Sequence, residues 1–387
     1  MDTKKKGFRP RGAVFPALYY GANSVYQGYI SLYYTGLGFH SGQLGFISAM
    51  TALAALAAQP LWGMLGDRVR GRRALLGGLC LAAAAALLPA AKDGGFIWQL
   101  SWAMAFYAFF CALLPLGDAI LLEAGGNFGG YRLAGGISFA LAGTLFGLLR
   151  DRIPAGGVLW AAAGLLLLTG LSARLLPESS GGRARKGSVL GLLRNRRLTA
   201  MLLFVLPLQM TMACFHTFYG PRFKALGGAD WMLGLGVLLS TASEVPYLLL
   251  SRRIYRRFGA AKPMCVAAGV LALRWALLGI AKTPLAALLT QLLHGGGFIV
   301  ITVSMAYWIS EHVPGEQRAG GQALLNMFSF GLARVLGNLL AGQLARSMGE
   351  GAAFLASAGL CAVAGVGFVV GVFGIKKQLT AMHQMQR

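Results

Sequence analysis

Long apolar stretches alternate with short polar loops along the whole chain. Each stretch lasts about 20 residues, which is the length that an α-helix needs to cross a bilayer. The stretches also lack the amphipathic period and charged faces of helices in soluble proteins. The pattern predicts twelve transmembrane helices at residues 14–35, 44–64, 74–91, 97–121, 133–149, 156–175, 199–219, 231–251, 263–281, 285–309, 319–345 and 351–375.

The longest polar break falls in the middle of the chain. Residues 176–198 are rich in Gly, Ser and basic side chains, which is typical of a flexible linker. We therefore expect an all-α membrane protein with a six-helix half at 1–175, a basic cytoplasmic linker at 176–198, and a second six-helix half at 199–387.

The two predicted halves repeat one another weakly in sequence. The Leu-Gly pairs that begin at Leu37 and Leu44 frame the first outside loop, and pairs with the same spacing at Leu226 and Leu233 frame its counterpart in the second half. The motif Arg-x-x-Gly at 68–71 recurs at 256–259, with nearly the same offset along the chain. Duplicated halves with a binding site between them are typical of secondary transporters.

Charge agrees with a membrane protein and predicts its orientation. The chain of 387 residues is 56% hydrophobic and 12% charged, about half the charged fraction of a soluble protein. Its net charge of +23 lies in short loops rather than on a nucleic-acid-binding face. If the N-terminus is inside, 26 of the 35 Lys and Arg residues are cytoplasmic, which predicts a multi-pass cell-membrane protein with both termini inside.

Several kinds of chemistry have no sequence support. The five cysteines all fall inside apolar stretches without CxxC spacing, so no disulfide framework or metal site is expected. The chain has no GxxxxGK[ST] loop for a nucleotide and no convincing nucleophile–base pair. It also has no cleavable signal peptide, because its N-terminus is a basic leader to the first helix. We therefore expect no enzyme activity and no cofactor, with a proton gradient as the energy source.

Three ionisable residues lie in consecutive predicted helices, namely Glu244, Arg274 and His294. On insertion scales a charge in hydrocarbon costs roughly 2.5–3.5 kcal/mol, so isolated ones are rare. Three together indicate a shared polar cavity, although structural contacts between helices would also explain them. Histidine titrates near neutral pH, and a carboxyl group in such a cavity can load and release a proton.

The loop after the second predicted helix has the sequence GMLGDRVRGRR. It resembles the G-x-L-x-D-R-x-x-G-R-R/K signature of the major facilitator superfamily, with a degenerate copy between helices 8 and 9. The resemblance implies that superfamily's fold, two six-helix halves each of 3+3 inverted repeats, and a cytoplasmic gate formed by the motif. A solvated basic loop is the simpler alternative. The motif residues are Gly63, Asp67, Arg68, Gly71, Arg72 and Arg73.

A second resemblance covers predicted helices 4 and 5. Asp118-Ala119 and the run FGGYRLAG at 128–135 are similar to the lactose/proton symporter, in which an acid and an arginine bind sugar hydroxyls. The resemblance assigns those roles to Asp118 and Arg132, whereas Gly130 replaces another arginine of that family. A structural ion pair between two helices is the alternative.

The same family is similar in the second half. The spacing from Gly259 to Arg274 to His294 matches without gaps, and the family's arginine and histidine belong to a proton-coupling and substrate network. Its proton-carrying glutamate, three residues after the histidine, corresponds to Gly297 here, and Glu244 is the candidate to replace it. The runs SEVP, LRW and QLLHG, at 243–246, 273–275 and 291–295, also resemble the phenylpropionate-permease-like branch.

Further polar side chains are candidates for the substrate cavity. Gln291 shares a helix face with His294, and Asn23 shares one with Gln27 and with Tyr26. Each alone could equally be an interhelical hydrogen bond. Arg334 is a cation inside a predicted helix for which the sequence suggests no partner.

These patterns predict a monomeric secondary transporter in the lipid bilayer for a small polar or anionic organic solute. We favour proton-coupled symport by alternating access, with substrate bound by Asp118, Arg132 and polar groups of the first helix. Efflux by antiport, passive facilitation and a non-transporting sensor remain as alternatives. Gly297 is the main argument for passive facilitation, because the related symporter has its proton-carrying acid at this position.

Overall fold

The computed structural model describes residues 10–124, 128–178, 190–314 and 317–385, and the regular structure in these ranges is helical. The helices of the first half run from one short loop to the next. Each predicted span in this half corresponds to one helix or one interrupted pair. Their bounds are α1 Pro10–Gly36, α2 Ser41–Arg68, α3 Arg72–Ala90, α4 Gly95–Phe110, α5 Leu113–Glu123, α6 Phe128–Leu149 and α7 Gly157–Ser172.

The second half contains longer helices and two interrupted ones. Its last helix continues past the predicted span. The bounds are α8 Arg196–Ala225, α9 Asp230–Phe258, α10 Ala261–Ile280, α11 Pro284–Leu289, α12 Val300–His312, α13 Arg318–Asn326, α14 Ala333–Met348 and α15 Glu350–Met385.

Twelve helical spans are present in the part of the chain that the structure describes, as the sequence predicts. Eleven are long and apolar enough to cross a membrane by hydropathy. The twelfth, α1, has 27 residues, which is enough to span a bilayer, but its six tyrosines lower its hydropathy.

Interruptions divide three of the spans. Helices α4 and α5 form one span that breaks at Cys111–Ala112, because Pro115 cannot donate a hydrogen bond to the carbonyl of Cys111. Between α11 and α12 the chain forms a 3₁₀ turn at Thr290–Leu293 and a π-helix at Gly295–Ile299. A second π-helix, Met327–Leu332, separates α13 from α14. Such π segments often occur at functional sites.

The contacts divide the chain into two compact units. The first comprises Met1–Lys186 with His216–Leu238, and the second comprises Gly187–Phe215 with Leu239–Arg387. The predicted halves and linker stay predictions, and residues 179–189 of that linker lie outside the described residues.

In the first unit, α1 packs along α6 and α7. Hydrogen bonds join α1 to α6, among them one from the Ser138 hydroxyl to the carbonyl of Ala17 at 2.6 Å and one from the Tyr29 hydroxyl to that of Gly143 at 2.9 Å. The start of α9 also belongs to this unit, where the Thr144 hydroxyl donates to the carbonyl of Gly234 at 2.9 Å. Small residues allow these close helix approaches.

In the second unit, α10 is the central helix. It packs along α15 and also contacts α12 and the irregular segments before it. Its inward face carries fully buried side chains, including Trp275 and Arg274. A buried arginine at the centre of a helix bundle needs specific partners, and these define the candidate site.

The helix bounds repeat with the offset that separates the two copies of the Arg-x-x-Gly motif, from Arg68 to Arg256. Shifted by this offset, α2 becomes 229–256, α3 becomes 260–278, and the interrupted span 95–123 becomes 283–311. The shifted bounds nearly coincide with those of α9, α10 and the span Pro284–His312. This correspondence, called the repeat offset below, lets residues of the two units be compared one by one.

Candidate functional site

A fully buried arginine, Arg274 on α10, is the centre of a polar cluster in the second unit. Its Nε donates to the carbonyl of Thr290 at 3.1 Å, and one Nη donates to the Gln291 amide oxygen at 2.8 Å. The other Nη lies 2.8 Å from Nδ1 of His294. The guanidinium thus binds three residues of the irregular segment that follows α11.

This contact fixes the tautomer of His294. An arginine side chain can only donate hydrogen bonds, so Nδ1 of His294 must accept and Nε2 must carry the proton. Nε2 lies 3.3 Å from a carboxylate oxygen of Glu244 on α9. The three side chains therefore form a contact chain, in which Arg274 donates a hydrogen bond to His294 and the protonated Nε2 of His294 faces the Glu244 carboxylate.

Exposure differs along this chain. Arg274 is 0% exposed and the His294 side chain 9%, whereas the Glu244 side chain is 21% exposed. The carboxylate is therefore accessible, whereas the guanidinium is fully enclosed. A second proton on His294 would remove its bond from Arg274, so Glu244 is the member best placed to exchange a proton.

Aromatic rings enclose the guanidinium of Arg274. Its central carbon lies 4.3 Å from the ring centre of Phe215 and 4.6 Å from that of Trp275. Rings at this distance attract a cation electrostatically. The indole of Trp275 is held in turn by donating to the Thr211 hydroxyl at 2.9 Å.

The close crossing of α9 with residue 295 positions Glu244. The Ser243 hydroxyl accepts a hydrogen bond from the backbone N–H of Gly295 at 2.8 Å. A Cβ on Gly295 would overlap the backbone of Ser243, so only glycine fits this crossing. The approach brings Glu244, the next residue on α9, against His294.

Gln291 offers a further polar group to this site. Its side-chain oxygen accepts from Arg274, while its Nε2 is buried without a hydrogen-bond partner within the described residues. A buried donor without a partner is costly. The amide is thus an available donor beside the charged chain.

Gly297, where the related symporter carries its acid, faces apolar packing here. A Cβ at this position would contact the side chain of Leu271 on α10. A carboxyl group would therefore point into the packing between two helices. The carboxylate of this site comes instead from α9.

The first unit holds a second ion pair at the predicted substrate residues. An Nη of Arg132 on α6 lies 2.6 Å from an oxygen of Asp118 on α5, and Arg132 also donates to the hydroxyl of Tyr20 on α1. The Arg132 side chain is 41% exposed and the Asp118 side chain 17%. Two helices and α1 thus present an accessible group of two charges and one phenol.

The predicted residues of α1 are placed differently from one another. Asn23 and Gln27 are half-buried, and neither side chain forms a hydrogen bond within the ranges that the structure describes. Tyr26 is buried, with its ring centre 4.5 Å from that of Phe106. The two amides are available to a ligand, whereas Tyr26 belongs to the core in this structure.

The loop motif surrounds a buried arginine. Arg72 pairs with Asp67 at 2.9 Å and with Glu123 at the end of α5, and its Nε donates to the carbonyl of Gly66 at 2.7 Å. Arg73 points elsewhere and pairs with Glu178 at 2.7 Å. Gly63, Arg68 and Gly71 are exposed. The motif thus ties α2, α3 and α5 together at one end of the first unit.

Some participants were not predicted from the sequence. Glu123 is a partner of Arg72. Its position as an acid at the end of an apolar span is the sequence feature that could have identified it. Phe215 and Thr290 had no distinguishing signal, since aromatic and small hydroxyl side chains are common throughout such helices. Ser243 was noted only as part of the run SEVP and not as a site residue. Arg334 lies over the ring of Phe330, 5.6 Å from its centre.

Comparison with known proteins agrees with this architecture. Residues 13–356 match the MFS_1 like family. The chain is 29% identical over 375 residues to maltose permease of Geobacillus stearothermophilus, covering 94% of both chains. It is 24% identical over 346 residues to a probable 3-phenylpropionic acid transporter of Escherichia coli (strain K12), covering 86% of this chain and 90% of the other. The crystal structure of the nucleoside transporter NupG matches with a TM-score of 0.82 at 18% identity, covering 93% of this chain and 98% of that one.

Proposed function

Because the chain belongs to the MFS_1 like family and is a membrane transporter rather than an enzyme, we propose that it carries a small, uncharged, hydroxyl-rich solute together with a proton. Transport proceeds by alternating access, in which the substrate site opens to one side of the membrane at a time. The sugar and nucleoside classes fit this proposal best.

The balance of charge supports an uncharged substrate. Asp118 neutralises Arg132 in the first unit, and Glu244 balances Arg274 through His294 in the second. An anion would need a cation that is free to pair with it, and the arginines of the two candidate sites, Arg132 and Arg274, already have acids nearby. A carboxylate–guanidinium pair can instead accept from and donate to hydroxyl groups by charge-assisted hydrogen bonds.

The related proteins support the same class. Two of them are named for maltose and for nucleosides, which are neutral and rich in hydroxyl groups. One is named for 3-phenylpropionic acid, which is an anion at neutral pH. The charge balance favours the first pair for this chain. The amides of Asn23 and Gln27 add donors and acceptors of the kind that sugar hydroxyls bind.

One observation supports this proton site, namely the contact chain from Arg274 through His294 to Glu244 with its accessible end at the carboxylate. A proton from water binds Glu244 and cancels its charge, which leaves Arg274 without its counter-charge. Such a change alters the relative stability of the transporter's conformations, which is what coupling requires. Arg274 and His294 thus position the carboxylate, and Glu244 carries the proton.

The test uses protein in proteoliposomes with a trapped pH dye. Maltose, uridine and 3-phenylpropionate are added in turn to the wild type and to Glu244→Gln, with Asp151→Asn as the matched control at an exposed acid. We expect the sugar or the nucleoside, but not the acid, to cause a pH change that disappears in Glu244→Gln. Exchange of labelled for unlabelled substrate should survive in that variant.

Two outcomes would contradict the proposal. A pH change caused by 3-phenylpropionate alone would show that the substrate is an anion. Substrate entry without a pH change, equal in Glu244→Gln and wild type, would identify a passive facilitator. The glycine at position 297 is the observation that favours this second candidate.

We further propose that the basic loops face the cytoplasm and that the protein works as a monomer in the cell membrane. The excess of Lys and Arg at one side supports this orientation. Cysteines introduced at Arg70 and at Asp93 in a variant without native cysteines would test it. Only the second should react with a membrane-impermeant reagent added to intact cells.

A further inference from the structure

The second unit contains a cavity of about 830 Å³ at the end where its basic residues lie. The starts of α8 and α10 and the ends of α9, α12 and α15 line it. Most of its wall is apolar, but Arg197, Tyr255, Glu311 and His312 also line it. None of Glu244, Arg274 and His294 lines this cavity.

Comparison with the first unit shows that the second unit lacks one arginine at this cavity. By the repeat offset, Asp67, Arg72 and Glu123 correspond to Tyr255, Ala260 and Glu311. In the first unit the arginine pairs with both acids. In the second unit all three counterparts line the cavity, and alanine stands where the arginine would be. The second unit has kept the acid of span 10 but lost its cation.

Among the described residues, Glu311 therefore has no basic side chain at salt-bridge distance. One of its oxygens accepts a hydrogen bond from the hydroxyl of Tyr255 at 2.6 Å. Within the described residues it forms no salt bridge, whereas its counterpart Glu123 pairs with Arg72. Glu311 is exposed, so a ligand can reach its carboxylate, and a cationic group is the partner that forms charge-assisted hydrogen bonds with it.

Basic side chains lie near the same cavity. Arg197 is part of the lining, and Phe258 of the lining has two cations over its ring, Arg257 at 5.4 Å and Lys262 at 5.9 Å from the ring centre. These groups favour a phosphate. Both signs of charge are thus present around one apolar space.

The apolar wall is open on the side of α8 and α15. The rings of Phe204 and Phe368 stack between these helices with their centres 3.9 Å apart. The adjacent lining residue Leu203 is 56% exposed. Gly367 and Gly371 are exposed on the facing side of α15. In a membrane-spanning bundle, exposed apolar residues of this kind meet lipid chains.

We propose that this cavity binds a phospholipid of the surrounding bilayer whose headgroup carries a primary ammonium. The ammonium donates to Glu311 in the place that the arginine holds in the first unit. The phosphate lies toward Arg197, and an acyl chain follows the wall formed by Phe204 and Phe368. Basic pockets at the ends of membrane helices commonly bind lipid headgroups, and the lone acid selects the ammonium type.

The test is native mass spectrometry of the full chain in detergent with equal amounts of phosphatidylethanolamine, phosphatidylcholine and phosphatidylglycerol. We expect phosphatidylethanolamine to be retained about tenfold more than either other lipid, because only its headgroup combines a hydrogen-bonding ammonium with a phosphate. Glu311→Gln should remove this preference. Ala260→Arg, which restores the arginine of the first unit, should also remove it.

Controls separate lipid recognition from folding. Asp151→Asn, at an exposed acid of the first unit, should keep the wild-type preference. Each variant must elute as one peak on gel filtration, and Tyr255→Phe, which changes one hydroxyl only, should weaken the preference without abolishing it. Equal retention of the three lipids by the wild type would overturn the proposal, as would an unchanged preference in Glu311→Gln. Preferred phosphatidylglycerol, lost in Arg197→Gln, would show an anionic-lipid site and would also overturn it.

Discussion

The two units use one helical scaffold for different purposes. By the repeat offset, Arg274, Gln291 and His294 in the second unit stand where Ala86, Ala103 and Phe106 stand in the first. Those three residues of the first unit are buried and apolar. The same three positions thus form hydrophobic packing in the first unit and part of a charged cluster in the second.

This difference separates what folding requires from what transport requires. The first unit shows that spans 3 and 4 pack well with alanine and phenylalanine, so the fold does not need the charges of the second. A buried arginine is costly unless it is paired on all sides. The presence of Arg274 in α10 therefore points to a role in function. Arg72 in the first unit leads to the opposite conclusion, a structural role, because it joins three helices.

The largest effect should come from giving the second unit the apolar character of the first. The combined variant Glu244→Leu, Arg274→Met, Gln291→Leu and His294→Phe removes every member of the charged chain while keeping similar volumes. Replacing a complete buried ionic group by apolar residues is often neutral or stabilising. We expect proton-coupled uptake to vanish while the thermal midpoint in detergent stays at or above that of the wild type.

Arg274→Ala alone provides the contrast. It leaves Gln291 and His294 without their donor, and removing one partner of a buried charged pair costs about 3–5 kcal/mol. We expect both transport and thermal midpoint to fall. Uptake that survives in the combined variant would show that the chain serves neither coupling nor binding.

The sequence was sufficient for the fold because its signals are long and local. Runs of apolar residues predict spans without any tertiary information, and most predicted ends lie close to the observed ones. The helix interruption after α11 was not predicted, although three consecutive glycines at 295–297 and the preceding Thr-Gln pair weaken a helix there. Gly295 and Gly297 matter through close contacts with Ser243 and Leu271, which only the packed structure shows.

The candidate site was predictable only in part. Arg274 and His294 were recognised from charge in apolar helices and from spacing, and the structure brings them together with Glu244 and Gln291. Their roles stay predictions. The pairing of Arg72 with Glu123, far apart in sequence, depends on how α3 and α5 pack. Tyr26 shares a helix face with Asn23, but its ring turns into the aromatic core, which periodicity cannot distinguish from a cavity wall.

A second test concerns the two adjacent arginines of the loop motif. Arg72 is buried and bonds to two carboxylates and one carbonyl, whereas the Arg73 side chain is 34% exposed and pairs with one exposed acid. We expect Arg72→Ala to cost about 3 kcal/mol. Arg73→Ala should cost less than about 1 kcal/mol, as exposed pairs do.

Thermal unfolding in detergent measures both arginine variants. A larger loss in Arg73→Ala than in Arg72→Ala would show that the motif stabilises the first unit through the segment after α7 rather than through α2 and α5. Equal losses would remove the structural distinction between the two positions.

The close crossing in the second unit gives a third and smaller effect. Gly295→Ala places a methyl group against the backbone of Ser243, so α9 must shift and Glu244 must move from His294. Overpacking of this kind costs about 2 kcal/mol. We expect a lower thermal midpoint and loss of the substrate-dependent pH change.

Gly269→Ala is the matched control for that crossing. It lies on α10 of the same unit, and a Cβ there would meet no atom within 4 Å among the described residues. Because alanine favours helix over glycine, this control should be neutral or slightly stabilising. A Gly295→Ala variant with wild-type stability and coupling would show that α9 does not need this close approach.

The smallest expected effect concerns the hydroxyl group of Ser243 at the same crossing. Ser243→Ala removes the acceptor for the Gly295 N–H, and Ser251→Ala on the same helix removes only a hydroxyl bonded within α9, to the carbonyl of Leu248. We expect Ser243→Ala to cost about 1 kcal/mol more than Ser251→Ala, since it leaves a backbone donor at a helix interruption without its partner. The difference between their thermal midpoints is the measurement. If the two variants are equally stable but Ser243→Ala alone weakens the pH change, the bond serves to place Glu244 rather than to hold the helices together.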